Sequence, residues 1–149
     1  MSSWLARFGL GQSTDIDLHD EPSGLVPTRE WKQSTYGEPW YPGETVIAGI
    51  GQGYMLATPL QLAVATAAIA NRGKLVRPRL LVRFENLQTG VTIPGPEISM
   101  TSIRLSDPTL FDQVIKGMIA VTHGARGTAR ASGQGAPYKM AGKSGTSQL

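Results

Sequence analysis

The sequence contains no cysteine. That absence removes disulfide scaffolds, thiol nucleophiles and cysteine-ligated zinc together. Histidine is almost missing as well. His19 and His123 are the only two and lie far apart, so no short histidine-based metal motif exists. Charged residues make up 17% of the chain, below the ~25% common in soluble domains. No apolar run reaches the roughly 18 residues that a membrane-spanning helix needs, and no signal-peptide pattern opens the sequence. Internal repeats and low-complexity tracts are absent too. What is plentiful is turn-forming: 18 Gly and 10 Pro, without a collagen-like period. With 149 residues, 40% of them hydrophobic, the chain is long enough for a core, and disorder is disfavoured. The length suits one domain or a piece of a larger one.

The net charge of +3 conceals an asymmetry. Residues 1–50 carry 3 basic and 7 acidic side chains, and the remainder carries 11 basic and 4 acidic. Arg72, Lys74, Arg77, Arg79 and Arg83 supply part of the excess. A basic face can attract nucleic acid, anionic lipid or an anionic substrate. No aromatic interleaving or nucleic-acid motif accompanies this cluster, so no nucleic-acid partner is expected. The plainer reading is a set of solvated charges at the ends and edges of a buried strand.

Trp4–Phe8, followed by Gly9 and Gly11, reads as the last turns of a helix. The alternation in Asp15-Ile16-Asp17-Leu18 suggests a short half-buried strand. From Glu21 to Thr45 the prolines and glycines, interleaved with Trp31, Tyr36, Trp40 and Tyr41, predict a long loop pinned by aromatic rings. The clearest helix starts at Thr58-Pro59. Thr58 is a good N-cap, Pro59 suits the first helical position, and Gln61 completes a Thr-x-x-Gln capping box. Leu60 to Ala70 is apolar on nearly every face, which predicts a helix buried all round. Asn71 and Gly73 end it. Leu75-Val76, Arg79–Phe84 and Val91–Ile93 read as strands. After Asp107-Pro108 a second helix is expected, with Leu110, Phe111, Val114, Ile115, Met118 and Ile119 forming one core-facing stripe. Tyr138–Ala141 is a last strand candidate, leading into Gly142-Lys143-Ser144-Gly145-Thr146.

Two glycine-rich stretches invite a nucleotide reading, and both fail. In Gly49-Ile50-Gly51-Gln52-Gly53 the third glycine comes one residue early for a dinucleotide fingerprint, and the helix starts too late. A turn in which backbones approach closely explains it better. Gly142-Lys143-Ser144 would end a phosphate-binding loop whose first glycine falls at position 137. Pro137 stands there and has no N–H to offer a phosphate. Read as an extended segment instead, Lys143 supplies positive potential, Ser144 and Thr146 supply hydroxyls for a carboxylate, and Gly145 leaves an approaching peptide room. A K-[ST]-G triplet alone is common by chance, but it is also one of three motifs that together mark penicillin-binding proteins and class A β-lactamases.

Five ordered stretches make that resemblance specific: PTREW (27–31), PWYPGET (39–45), GIGQGYMLATPLQLA (49–63), GTA (127–129) and APYKMAGKSGTSQ (136–148). Across nearly its whole length the chain resembles the transpeptidase domain of class B penicillin-binding proteins, nearest the elongation-specific penicillin-binding protein 2 type. The resemblance implies an α+β transpeptidase fold, with an antiparallel sheet flanked by helices and the K-[ST]-G strand bordering a cleft. Residues 1–149 would be a fragment of a single such domain, incomplete at both ends. The implied reaction is serine acyl transfer on peptidoglycan stem peptides ending in D-Ala-D-Ala, with β-lactams trapping the same serine and no cofactor or metal taking part. The implied parent is anchored in the inner membrane with this domain in the periplasm, alongside membrane proteins of an elongation complex.

Carried over residue by residue, Lys143 tunes the electrostatics of the cleft, and Ser144 and Thr146 hold the substrate or β-lactam carboxylate. Gly145 keeps the approach open, and the Thr146 N–H is one oxyanion-hole donor. Such a donor is typically worth about 2.7–4 kcal/mol of barrier. The departures are equally informative. No Ser or Thr is followed by Lys three positions on, and no S-x-N triplet occurs. The expectation is therefore an internal slice carrying one wall of a site and no catalytic residue. A stand-alone, non-catalytic module that binds anionic partners or scaffolds a cell-wall complex is the competing reading. Sequencing the DNA on both sides of the reading frame separates the two. In either case a polypeptide of these 149 residues is expected to form no covalent adduct with labelled penicillin. A denaturation-resistant adduct would require a nucleophile, and no S-x-x-K motif here supplies one.

Overall fold

The computed structural model describes residues 1–147 and falls into two compact units. Unit 1 comprises residues 1–68 and 74–103, and unit 2 comprises residues 69–73 and 104 onward.

Unit 1 begins with helix α1 (Ser2–Arg7), which ends ahead of Gly9 as its composition implies. The expected strand at Asp15–Leu18 does not form. Asp15 and Asp20 have positive φ, and the loop folds around its own carboxylates. Glu21 accepts from the Ser13 and Thr14 hydroxyls and from Thr14 N–H. Those bonds, the Ser13 hydroxyl first, hold its carboxyl below the usual range.

The aromatic-pinned loop expected between Glu21 and Thr45 is also corrected, because it contains two short helices. Helix α2 (Arg29–Tyr36) is capped by Thr28, whose hydroxyl accepts from Trp31 N–H at 3.1 Å. Helix α3 (Pro42–Gly49) has proline at its start, and Glu44 accepts from Tyr41 N–H at 2.7 Å. Lys32 on α2 is 1% exposed and forms an ion pair with Glu44 on α3, with Glu38 3.6 Å away. Burial pushes the Lys32 ammonium down, but the bond and charge of Glu44 outweigh it and leave it raised. Trp31, Tyr36 and Tyr54 still cluster, with ring centroids 5.2–5.7 Å apart. Beyond the end of α3 the rest of the Gly49–Gly53 stretch is a turn, with Gly51 and Gly53 both at φ 74°.

Helix α4 (Pro59–Ala70) starts where its signals place it, and the capping box closes both ways. Thr58 N–H donates to Gln61 Oε1 at 3.0 Å, and Gln61 N–H donates to Thr58 Oγ1 at 3.1 Å. It is not buried all round. Gln61, Val64 and Ala68 are buried, whereas Leu62 is 54% exposed. The box glutamine does more than cap. Gln61 is fully buried, and its Nε2 donates to the carbonyls of Gln12 and Ser23, each at 2.7 Å. One side chain thus ties α4 to two distant loops.

Two small antiparallel sheets complete unit 1. Strand β1 (Lys74–Val76) pairs with β4 (Met100–Ser102), which the sequence reading did not anticipate, and β2 (Arg83–Glu85) pairs with β3 (Thr92–Pro94). The Arg79–Phe84 strand is therefore shifted and shortened. The N–H groups of Leu80 and Leu81 donate to the Asp17 carboxylate at 2.7 and 2.8 Å, which takes them out of any ladder. The same two bonds hold the Asp17 carboxyl below its usual value.

Unit 2 is built on helix α5 (Thr109–His123) and a single turn, α6 (Arg130–Gly133). Asp107 starts α5 by accepting from Thr109 N–H and its hydroxyl at 2.9 and 2.7 Å. Phe111 of the expected stripe is buried, Ile115, Met118 and Ile119 are half-buried, and Leu110 and Val114 are exposed. Among the described residues, no helix is long and apolar enough to cross a membrane.

Gln61→Leu is expected to cost unit 1 at least about 2 kcal/mol, because Thr58 N–H and two carbonyls lose their partner. The midpoint of urea unfolding measures it, and an unchanged midpoint would contradict the role of Gln61. Exposed Val46 (70%), Ile50 (73%) and Leu62 lead to a second expectation, that the isolated 149-residue polypeptide self-associates. Size-exclusion chromatography with thermal unfolding tests it, and a monodisperse monomer with a sharp, reversible transition would be the opposing result.

Candidate functional site

The site residues expected from the sequence all fall in unit 2, on a segment that returns to the C-terminal end of α5. A helix end leaves carbonyls without intrahelical partners, and nearby chain must supply donors. Here one segment does so at Val121, and a second adds a bond to a carbonyl one turn earlier. Ala129 N–H donates to Val121 O at 3.0 Å, and Gly142 N–H donates to Met118 O at 3.1 Å. The first bond fixes the GTA stretch, Gly127-Thr128-Ala129. A Cβ at position 127 would lie 2.6 Å from Ala120 O and closer still to Val121 O, so only glycine lets the chain pass there.

The second segment carries the K-S-G-T residues. It is not a strand. Among the described residues, 136–147 include no strand, which corrects both the Tyr138–Ala141 strand and the extended strand expected at Lys143–Thr146. The physical reason lies on α5. Thr122 is 5% exposed, and its hydroxyl donates to Met140 O at 2.7 Å. Met140 N–H donates to His123 Nε2 at 2.9 Å, so the imidazole acts as acceptor. Both main-chain groups of Met140 are thereby satisfied by side chains instead of by a neighbouring strand.

Beyond this anchor Lys143, Ser144, Gly145 and Thr146 are all exposed. Lys143 Nζ donates to Ser144 O at 2.5 Å. Ser144 Oγ lies 3.2 Å from Thr128 Oγ1, so the GTA and K-S-G-T stretches meet through their hydroxyls. Nothing lies within 4 Å of where a Gly145 Cβ would stand, leaving open space beside the segment. Gln148, the last residue of the 136–148 stretch, lies outside the described residues.

The electrostatic setting is basic. Unit 2 carries Arg72, Arg104, Lys116, Arg126, Arg130, Lys139 and Lys143 against Asp107 and Asp112 alone. The basic cluster seen in the sequence is divided. Arg72 pairs with Asp112 in unit 2, while in unit 1 Arg77 and Arg79 donate to the carbonyls of Asp15 and Pro96. Among the described residues no three His, Cys, Asp or Glu side chains are grouped to hold a metal ion. Thr122, His123 and the contact of Thr128 escaped the sequence reading. A hydroxyl and an imidazole in the last turn of a helix were the available signal, and a weak one.

Comparison with known proteins agrees with this arrangement. Residues 1–149 match the family described as the penicillin binding protein transpeptidase domain. Peptidoglycan D,D-transpeptidase MrdA of Haemophilus influenzae is 39% identical over 151 residues, covering 100% of this chain and 23% of that protein. The Escherichia coli K12 protein of the same name is 39% identical over 149 residues, with 100% and 23% covered. The chain thus spans about a quarter of the length of these relatives. Among solved structures, Pseudomonas aeruginosa PBP2 in complex with WCK 5153 aligns with a TM-score of 0.82 and 48% identity, covering 99% of this chain and 32% of that one. PBP2 of Helicobacter pylori, in its complex with MreC, aligns with a TM-score of 0.82 and 31% identity, covering 99% and 26%. By sequence and by structure, then, this chain belongs to the penicillin-binding protein transpeptidase domain family and is of the penicillin-binding protein 2 type.

Proposed function

We propose that these residues form one wall of a serine acyl-transfer site in a peptidoglycan D,D-transpeptidase. The observation that carries the reading is the K-S-G-T segment itself. It stands exposed in a basic unit, anchored at Met140 and Gly142 by three hydrogen bonds to one helix. An anchored segment presents its donors at fixed positions, which transition-state stabilisation requires.

In the proposed reaction a serine oxygen bonds to the carbonyl carbon of the penultimate D-alanine of a stem peptide. The C–N bond to the terminal D-alanine breaks, and the leaving amine takes up a proton. The amine of a neighbouring stem then takes the acyl group and frees the serine. The nucleophile is not among these 149 residues, which contain no S-x-x-K. Lys143 supplies positive potential beside the reacting carbonyl. The hydroxyls of Ser144 and Thr146 donate to the terminal carboxylate, or to that of a β-lactam. Gly145 leaves the substrate backbone room, and Thr146 N–H faces the developing oxyanion.

The same reading makes residues 1–149 part of one transpeptidase domain. It places that domain outside the inner membrane, in a protein anchored there. The MreC complex of the Helicobacter pylori relative supports a partner from a membrane-bound elongation complex.

The test compares two lysines of the same segment in the complete protein encoded by the natural reading frame. Lys143→Ala is expected to slow acylation by labelled penicillin by about tenfold or more. Lys139→Ala, outside the motif and exposed, is expected to stay within about twofold. Equal losses for the two variants would show that the motif has been misplaced.

A further inference from the structure

The hydroxyl contact between Thr128 and Ser144 has a chemical consequence. An ionised carboxylate only accepts hydrogen bonds, and a serine hydroxyl has a single proton to give. For Ser144 to hold a carboxylate, that proton must point at the ligand. Its oxygen is then free to accept, and the Thr128 hydroxyl lies 3.2 Å away. We propose that Thr128 is a positioning residue for anion recognition, donating to Ser144 Oγ so that the Ser144 proton is turned toward the carboxylate. The inference rests on the reading of Ser144 as a carboxylate-binding residue.

Three features of the fold support the assignment. Thr128 is held in place by its neighbours, because Gly127 N–H donates to Gly124 O, Ala129 N–H to Val121 O and Arg130 N–H to Gly127 O, at 3.0–3.2 Å. Ser144 follows the Met140–Gly142 anchor by two residues, so both hydroxyls sit on chain tied to the same helix end. Both side chains are exposed, and the space beside Gly145 is open, so an incoming anion can reach Ser144. In a chain of hydrogen bonds each donor polarises the next, so the Thr128 bond strengthens the one that Ser144 gives to the anion. Until an anion arrives either hydroxyl can donate, and the ligand sets the direction.

The experiment uses the complete natural protein and follows acylation by benzylpenicillin, separating apparent affinity from the acylation rate constant. Benzylpenicillin methyl ester serves as the ligand without a carboxylate. Thr128→Val, which keeps the shape and removes the hydroxyl, is expected to weaken apparent affinity for the free acid about fivefold. Thr128→Ser, which keeps the hydroxyl, is expected to remain within about twofold of the parent. Neither substitution is expected to change the response to the ester. In a Ser144→Ala background Thr128→Val is expected to add nothing, since the relay is already broken. Thr128→Ala provides a second hydroxyl-free variant, and the thermal midpoint of each protein confirms that it is folded.

A full-sized Ser144→Ala defect with no Thr128→Val effect would overturn this inference and leave the site reading intact. So would a Thr128→Val loss that persists without Ser144 or extends equally to the ester, because packing alone would then account for it. If neither Ser144→Ala nor Lys143→Ala affects acylation, the site reading fails and the role of Thr128 falls with it.

Discussion

Every main-chain N–H and C=O removed from water needs a partner, and in this chain side chains supply many of those partners where a sheet would otherwise do so. Gln61 takes the carbonyls of Gln12 and Ser23. Asp17 takes the N–H groups of Leu80 and Leu81. Thr122 and His123 take both main-chain groups of Met140. Each connection joins parts of the chain far apart in sequence, and each sets the path of a segment that hydrophobic pattern alone leaves open. The short strands follow from this. Where a side chain holds the backbone, no ladder can run through the same residues.

The same economy shapes the site. Its residues are presented by an irregular segment whose position is set at Met140 and Gly142, just ahead of Lys143. Helix α5 is the rigid element and its C-terminal end is the hub, since both the GTA and the K-S-G-T stretches are bonded there. The glycine of GTA belongs to this geometry, because any side chain at position 127 would strike the carbonyls of Ala120 and Val121. The motif is therefore a packing requirement as well as a family mark. It brings a hydroxyl, Thr128, within reach of Ser144.

Charge is divided along similar lines. Three acidic side chains of the first fifty residues are structural: Glu21 closes a loop, Asp17 holds a distant backbone, and Glu44 pairs with buried Lys32. Their carboxyls are held below the usual range by these bonds, so their stabilisation is present above the ordinary carboxylate range and fades as pH falls through the lowered values. Unit 2 carries more basic than acidic side chains, and the exposed segment with the candidate site belongs to that unit. A positive field of that kind favours anionic ligands over neutral ones.

Local chemistry in the sequence determined the elements with strong start and stop signals. Thr58, Pro59 and Gln61 fixed the start of α4, Asp107 and Pro108 marked that of α5, and the ordered stretches through Lys143-Ser144-Gly145-Thr146 indicated the family. These signals act over a few residues and therefore survive in a linear reading. The tertiary structure alone decided which backbone groups Asp17, Thr122 and His123 would hold. The strands expected at Asp15–Leu18, Tyr138–Ala141 and Lys143–Thr146 did not form, and in the stretch read as loop the chain formed α2 and α3, joined by the pair of Lys32 with Glu44. The tertiary structure also decided that Thr128 meets Ser144. Such pairings join residues from a dozen to more than sixty positions apart. Their partners are chosen by geometry that propensity and periodicity do not encode.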